Sequence, residues 1–143
     1  MRNVFLISIR ILFPIYLLSV CLLCFANLAF PQEMDIPKFI LGIPVDKIVH
    51  FTMFLPYPIL AIPFFNLSKM KDTLKFRICT TVFFAGIVFA AITELIQKYL
   101  LIDRNGDIWD FAADIFGMSA GLLLFLIIYP PLSRKFRYVI TQS

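Results

Sequence analysis

Residues Glu94 to Gly117 read ELIQKYLLIDRNGDIWDFAADIFG, and their reading decides the fold. They join two apolar segments and carry five of the chain's nine acidic residues: Glu94, Asp103, Asp107, Asp110 and Asp114. Both flanks are apolar enough to enter lipid. An ionised side chain there costs about 3 kcal/mol at a helix centre on insertion scales, and less near the interface. Acids placed inside such an edge point to a polar site held between helices.

Working outward, the whole chain supports that setting. Its 143 residues suffice for one domain, residues 1–143. It is 61% hydrophobic with a mean hydropathy of +0.91, well above the roughly 45–50% apolar content of soluble domains. The expected class is an all-α membrane protein. The net charge of +4 does not point to nucleic acid, because the basic residues sit in loops and at one end, beside apolar spans, and read as topology signals. Cys21 and Cys24 form a C-x-x-C inside an apolar run without flanking polar groups, so they read as small apolar residues. Cys79 is alone, and no disulfide framework or zinc site is expected.

Four transmembrane helices are expected. The first covers about Val4 to Phe30, too long an apolar run for a cleaved signal peptide. A loop from Pro31 to Lys47 follows, broken by Pro31, Pro37, Gly42 and Pro44, with an apolar FILGI at the interface. The second helix, Ile48 to Leu67, contains Pro56, Pro58 and Pro63 and must bend or break. The third is Phe76 to about Gln97. The fourth is Ile108 to Tyr129, stopped by Pro130-Pro131. Lys and Arg cluster at Arg2, in the 69–77 loop and at 134–137, which places both termini and that loop in the cytoplasm.

This topology gathers Asp46, Lys47, His50, Glu94, Gln97, Arg104, Asp107, Asp110 and Asp114 on the outer side, from three helix ends. Asp107, Asp110 and Asp114 follow one helical face. Ala113, Gly117 and Gly121 put small residues at every fourth position, a stripe that lets backbones approach closely, for internal packing or for a homodimer. At 1.5 Å per residue Asp114 lies about 9 Å below Ile108, so the cluster belongs at headgroup depth. Five acids against Lys47 and Arg104 leave a formal charge of −3 (−5 + 2). Such a site either holds protons or binds a cation; oxygen ligands suit Mg²⁺ or Ca²⁺, with Glu94, Asp110 and Asp114 the candidate ligands.

Three blocks, in order, resemble the VanZ-like family. They are the D-K-x-x-H-F of Asp46, Lys47, His50 and Phe51, the T-E-x-x-Q of Thr93, Glu94 and Gln97, and Arg104 followed by the spacing of Asp110, Asp114 and Gly117. They cover about residues 45–121. The resemblance implies a small multi-pass protein of the bacterial cytoplasmic membrane, in a family named after an accessory protein of glycopeptide (teicoplanin) resistance and without a settled activity. Two features depart from the family's pattern: Asp114 stands where an Asn is common, and the second helix is unusually rich in proline.

The expected function is binding of a polar headgroup at the outer leaflet, such as a lipid-linked cell-wall precursor. Arg104, Lys47 and His50 would engage phosphate. Glu94, Gln97 and the aspartates would engage sugar or peptide groups, or position a metal. The alternative is a hydrolase or transferase acting on such a lipid, with His50 as acid/base and Glu94 or Asp110 as its partner. No strong nucleophile motif is present, which favours binding over catalysis. A small transporter or an assembly partner is the third class.

Overall fold

The computed structural model describes residues 2–25, 39–65, 71–100 and 107–141. Five helices and one two-residue hairpin occur among them: α1 (Arg2–Phe25), β1 (Phe39–Ile40), β2 (Ile43–Pro44), α2 (Val45–Phe54), α3 (Pro56–Phe64), α4 (Asp72–Leu100) and α5 (Ile108–Thr141). Four stretches are long and apolar enough to cross a membrane: Val4–Phe25, Val45–Phe64, Asp72–Tyr99 and Ile108–Tyr129.

The packing is inverted relative to a soluble protein. Ile7, Ile11, Ile15, Leu18 and Leu22 of α1, Phe76, Phe84 and Val88 of α4, and Phe116, Leu123 and Ile127 of α5 all face outward. His50, Thr93, Glu94, Gln97, Asp110 and Asp114 are buried. An apolar exterior around a polar interior is stable in lipid, where close packing and interhelical hydrogen bonds hold helices together.

Helix α5 runs along α2, α3 and α4, and α1 lies on α3 and α4. The apolar core joins Val20 and Cys24 of α1, Phe54, Tyr57, Ala61 and Ile62 of α2 and α3, Val82 and Ala90 of α4, and Met118 and Phe125 of α5. Tyr57 stacks on Phe89 at 6.4 Å and 19°. Gly86 makes room for that arrangement: a methyl group there would lie 2.5 Å from Met118 Sδ and 2.6 Å from Tyr57 Cε1.

Several element boundaries differ from the sequence expectation. The second span starts at Val45, not Ile48, and is broken at Leu55, where α2 ends and Pro56 opens α3. Pro56 and Pro58 have no N–H to continue the ladder, and proline is well suited to a first helical turn. Tyr16 of α1 donates to the Met53 carbonyl at 2.6 Å beside this break. The expected extension to Leu67, and that of the first helix from Ala26 to Phe30, lie outside the described residues. Helix α4 begins at Asp72, whose carboxylate meets Lys75 Nζ at 2.8 Å one turn on.

Pro130-Pro131 does not stop α5, which continues to Thr141. Prolines remove donors but are tolerated within apolar spans and need not end the helix. Before α2 the chain forms a hairpin rather than an unstructured loop: Phe39 pairs with Pro44 and Ile40 with Ile43 around Leu41 (φ 52°) and Gly42 (φ 79°). Two consecutive positive φ angles are what a tight two-residue hairpin turn requires.

Candidate functional site

The polar residues converge because three helix ends meet. Helix α2 brings Asp46, Lys47 and His50 within its first six residues. Helix α5 brings Asp110 and Asp114 in its first two turns, and α4 brings Glu94 and Gln97 near its last. Glu94 and Asp114 each lie six residues inside their helix ends, about 9 Å at 1.5 Å per residue. Antiparallel α4 and α5 therefore present them at one level.

Two glycines bring α2 against α5. A Cβ on Gly117 would collide with the Phe51 carbonyl oxygen, and one on Gly121 with that of Leu55. The expected small-residue stripe is thus covered within the chain, by α2 and the start of α3. Ala113, its third member, is half-buried.

The cluster has two tiers. In the outer tier Lys47 Nζ lies 2.5 Å from Asp110 Oδ1, 2.8 Å from Asp107 Oδ2 and 3.6 Å from Asp46 Oδ2. Asp110 is buried and Asp46 exposed. Asp107 also caps α5: its Oδ1 accepts the Trp109 N–H at 3.1 Å. The Lys47 ammonium, and then the Trp109 N–H, hold the Asp107 carboxyl below the usual carboxylate range. Glu94 Oε2 accepts the Asp107 N–H at 3.1 Å, which ties α4 to the head of α5.

In the inner tier His50 Nδ1 lies 3.0 Å from Asp114 Oδ1 and 3.6 Å from Glu94 Oε1. Glu94 Oε1 and Asp114 Oδ2 are buried without a hydrogen-bond partner among the described residues. Thr93, next to Glu94, turns its hydroxyl back to the Ala90 carbonyl at 2.8 Å.

Of the candidate ligand-binding residues, Asp46, Lys47, His50, Glu94, Asp107, Asp110 and Asp114 come together. Gln97 is directed elsewhere: its Nε2 donates to the Cys24 carbonyl at 3.1 Å, fastening the end of α1 to α4. Arg104 and Asp103 lie outside the described residues. The candidate metal ligands Glu94, Asp110 and Asp114 do not form one set. Ligand atoms mutually within 4.8 Å occur as His50, Glu94 and Asp114, and as Asp46, His50 and Asp110. Both sets include His50, which the acidic pattern alone did not place among the metal ligands; its one-turn position after Asp46 was the available signal.

Lys47 is matched by carboxylates on three sides, so the described cluster is acidic: five carboxylates against one ammonium give a formal −4 (−5 + 1). It can accept hydrogen bonds or hold a cation, and it has no spare ammonium for an anion. Compared with protein-family models, with curated proteins and with solved structures, the chain matches none.

Proposed function

We propose that the chain is a VanZ-like multi-pass protein of a bacterial cytoplasmic membrane, with both termini in the cytoplasm and the two-tiered cluster opening to the outer leaflet. Its function in this reading is to recognise the polar headgroup of a membrane lipid, of the class of lipid-linked cell-wall precursors. A part in glycopeptide resistance would follow from binding such a precursor.

The carrying observation is the pair of buried, unpartnered carboxylate oxygens on Glu94 and Asp114. Buried polar groups are normally paired, and each orphan acceptor costs about 1–3 kcal/mol. Hydroxyl or amide donors of a sugar or peptide headgroup would supply the missing partners. The hairpin supports the placement at an interface, because Phe39, Ile40, Leu41 and Ile43 are exposed beside the head of α2. With Lys47 already matched, contact with phosphate falls to groups beyond the cluster or to a bridging cation.

Native mass spectrometry of the protein extracted from its membrane tests this. The wild type should carry a lipid adduct, and Glu94→Gln should lose it with helix content unchanged. Equal lipid retention by both forms would refute the reading. Reporter fusions at the two termini test the orientation separately.

The enzyme reading is favoured by one observation. His50 is oriented by Asp114 at 3.0 Å with Glu94 close by, an arrangement suited to general acid/base work. Turnover of a labelled isoprenoid phosphate that is lost in His50→Ala would establish it.

A further inference from the structure

The inner tier has the composition and spacing of a metal site. One ligand atom from each of His50, Glu94 and Asp114 lies within 4.8 Å of the other two. The residues come from α2, α4 and α5, so three separate elements frame one point. Asp114 has no exposed surface and His50 is 4% exposed, yet Glu94 Oε1 and Asp114 Oδ2 have no hydrogen-bond partner among the described residues. One proton could satisfy one of these oxygens. One cation could satisfy both carboxylates and the imidazole nitrogen together.

The spacing agrees. Metal–ligand bonds of about 2.1 Å set neighbouring ligands about 3.0 Å apart in an octahedral site and about 3.4 Å apart in a tetrahedral one. The separations from His50 Nδ1 are 3.0 Å to Asp114 Oδ1 and 3.6 Å to Glu94 Oε1. We propose that His50, Glu94 and Asp114 bind one divalent cation between α2, α4 and α5.

The donor set selects the kind of cation. One imidazole nitrogen with two carboxylates suits Mn²⁺, Fe²⁺ or Zn²⁺, whereas Ca²⁺ takes six to eight oxygens and Mg²⁺ keeps much of its water. Two carboxylates balance the charge of the cation. Three protein ligands leave coordination positions open for an oxygen of an incoming molecule, as in sites that act on ligands rather than serve only the fold. The other set, Asp46, His50 and Asp110, is unsuited. Lys47 already holds Asp110 and stands 3.6 Å from Asp46, so a cation there would face an ammonium. The proposal rests on the inner tier and does not require the headgroup reading.

The test is titration of the full-length protein with Mn²⁺, in detergent after chelator treatment, followed by electron paramagnetic resonance. Mn²⁺ is the probe because thiols, including the C-x-x-C pair, bind it poorly. The wild type should take up one equivalent. Glu94→Gln and His50→Ala should each weaken binding tenfold or more, and Asp72→Asn, far along α4, should not. Circular dichroism on each variant checks the fold, and the near-isosteric Glu94→Gln keeps the test valid where His50→Ala does not fold. Absence of saturable Mn²⁺ binding by the wild type, or equal affinity in Glu94→Gln, overturns the proposal. Loss of binding in Asp46→Asn with Glu94→Gln unaffected overturns it too, by moving the cation to the outer set. Lipid adducts without Mn²⁺ binding would defeat this inference and leave the headgroup reading; Mn²⁺ binding without lipid adducts would do the reverse.

Discussion

Replacing Gly117 with alanine tests the contact that assembles the site. The added methyl group would be driven against the Phe51 carbonyl oxygen and would lie 3.1 Å from its carbonyl carbon and 3.2 Å from its Cα. Non-bonded carbon–oxygen contacts settle at about 3.3–3.6 Å. The obstacle is backbone and has no rotamer to change, so α2 and α5 must part by on the order of 1 Å to restore that distance. Overpacking of this kind costs about 1–3 kcal/mol.

The displacement also reaches the inner tier. His50 directly precedes Phe51, and Asp114 lies one turn before Gly117. The 3.0 Å His50–Asp114 contact then opens to about 4 Å, outside hydrogen-bond range. His50 is the chain's single histidine, so ¹⁵N-histidine labelling gives one imidazole to follow by NMR. Gly117→Ala should lower the thermal midpoint in detergent and shift the Nδ1 resonance. The outward-facing Phe116→Leu should change stability by less than about 0.5 kcal/mol and leave the resonance in place. A Gly117→Ala protein with wild-type stability and an unmoved His50 signal would refute the close α2–α5 approach.

Other outcomes follow from the same geometry. Lys47→Ala leaves Asp110 buried without its cation and should destabilise by about 2–3 kcal/mol in chemical unfolding, below the roughly 3–5 of a fully buried pair because the Lys47 side chain stays 21% exposed. Changing both partners, to Lys47→Met and Asp110→Leu, should recover most of that loss. Asp107 lies outside the membrane spans and its carboxyl titrates below the usual range in the folded protein. Its contribution to stability is therefore complete above about pH 4 and is lost as the pH falls through the lower folded-state value. Asp107→Asn should flatten that acid limb of a stability–pH curve; an unchanged limb would count against the Lys47–Asp107 pairing. Gln97→Leu removes the hydrogen bond to α1 and should cost about 1 kcal/mol, with faster proteolysis of the N-terminal helix as a second readout.

The sequence was most legible where a simple periodicity operates. Long apolar runs mark four spans because lipid demands about 20 apolar residues per crossing, and each coincides with a membrane-length helical stretch, one broken at Leu55 and one running on to Thr141. The 110–114–117–121 register puts acids and glycines on one face by helical geometry alone. Partner choice was hidden, because it depends on how three helices distant in sequence slide and rotate against one another. Nothing local tells that Lys47 meets Asp107 and Asp110, or that His50 lies between Asp114 and Glu94. Gln97 shares a helical face with Glu94, yet its amide reaches α1, which is distinguishable only once α1 has been docked. Gly86 stands one turn before Ala90, yet its purpose shows only against Tyr57 and Met118. Proline was misleading in one place and informative in another. Pro56 breaks its helix, whereas Pro130-Pro131 lies within a continuing one, so the residue type alone does not decide.

The Lys47–Asp110 pair also bears on how the chain is made. The two residues are 63 positions apart. At roughly 5–20 residues per second, α2 leaves the ribosome about 3–13 s before its acidic partners. During that interval Lys47 lacks its α5 counter-charge and His50 its α5 partner, in the least apolar of the four spans. The arrival of α5 supplies those partners and the glycine face together. Integration of the second span should therefore depend on synthesis of the last: a chain truncated before Asp107 should leave the second span poorly integrated.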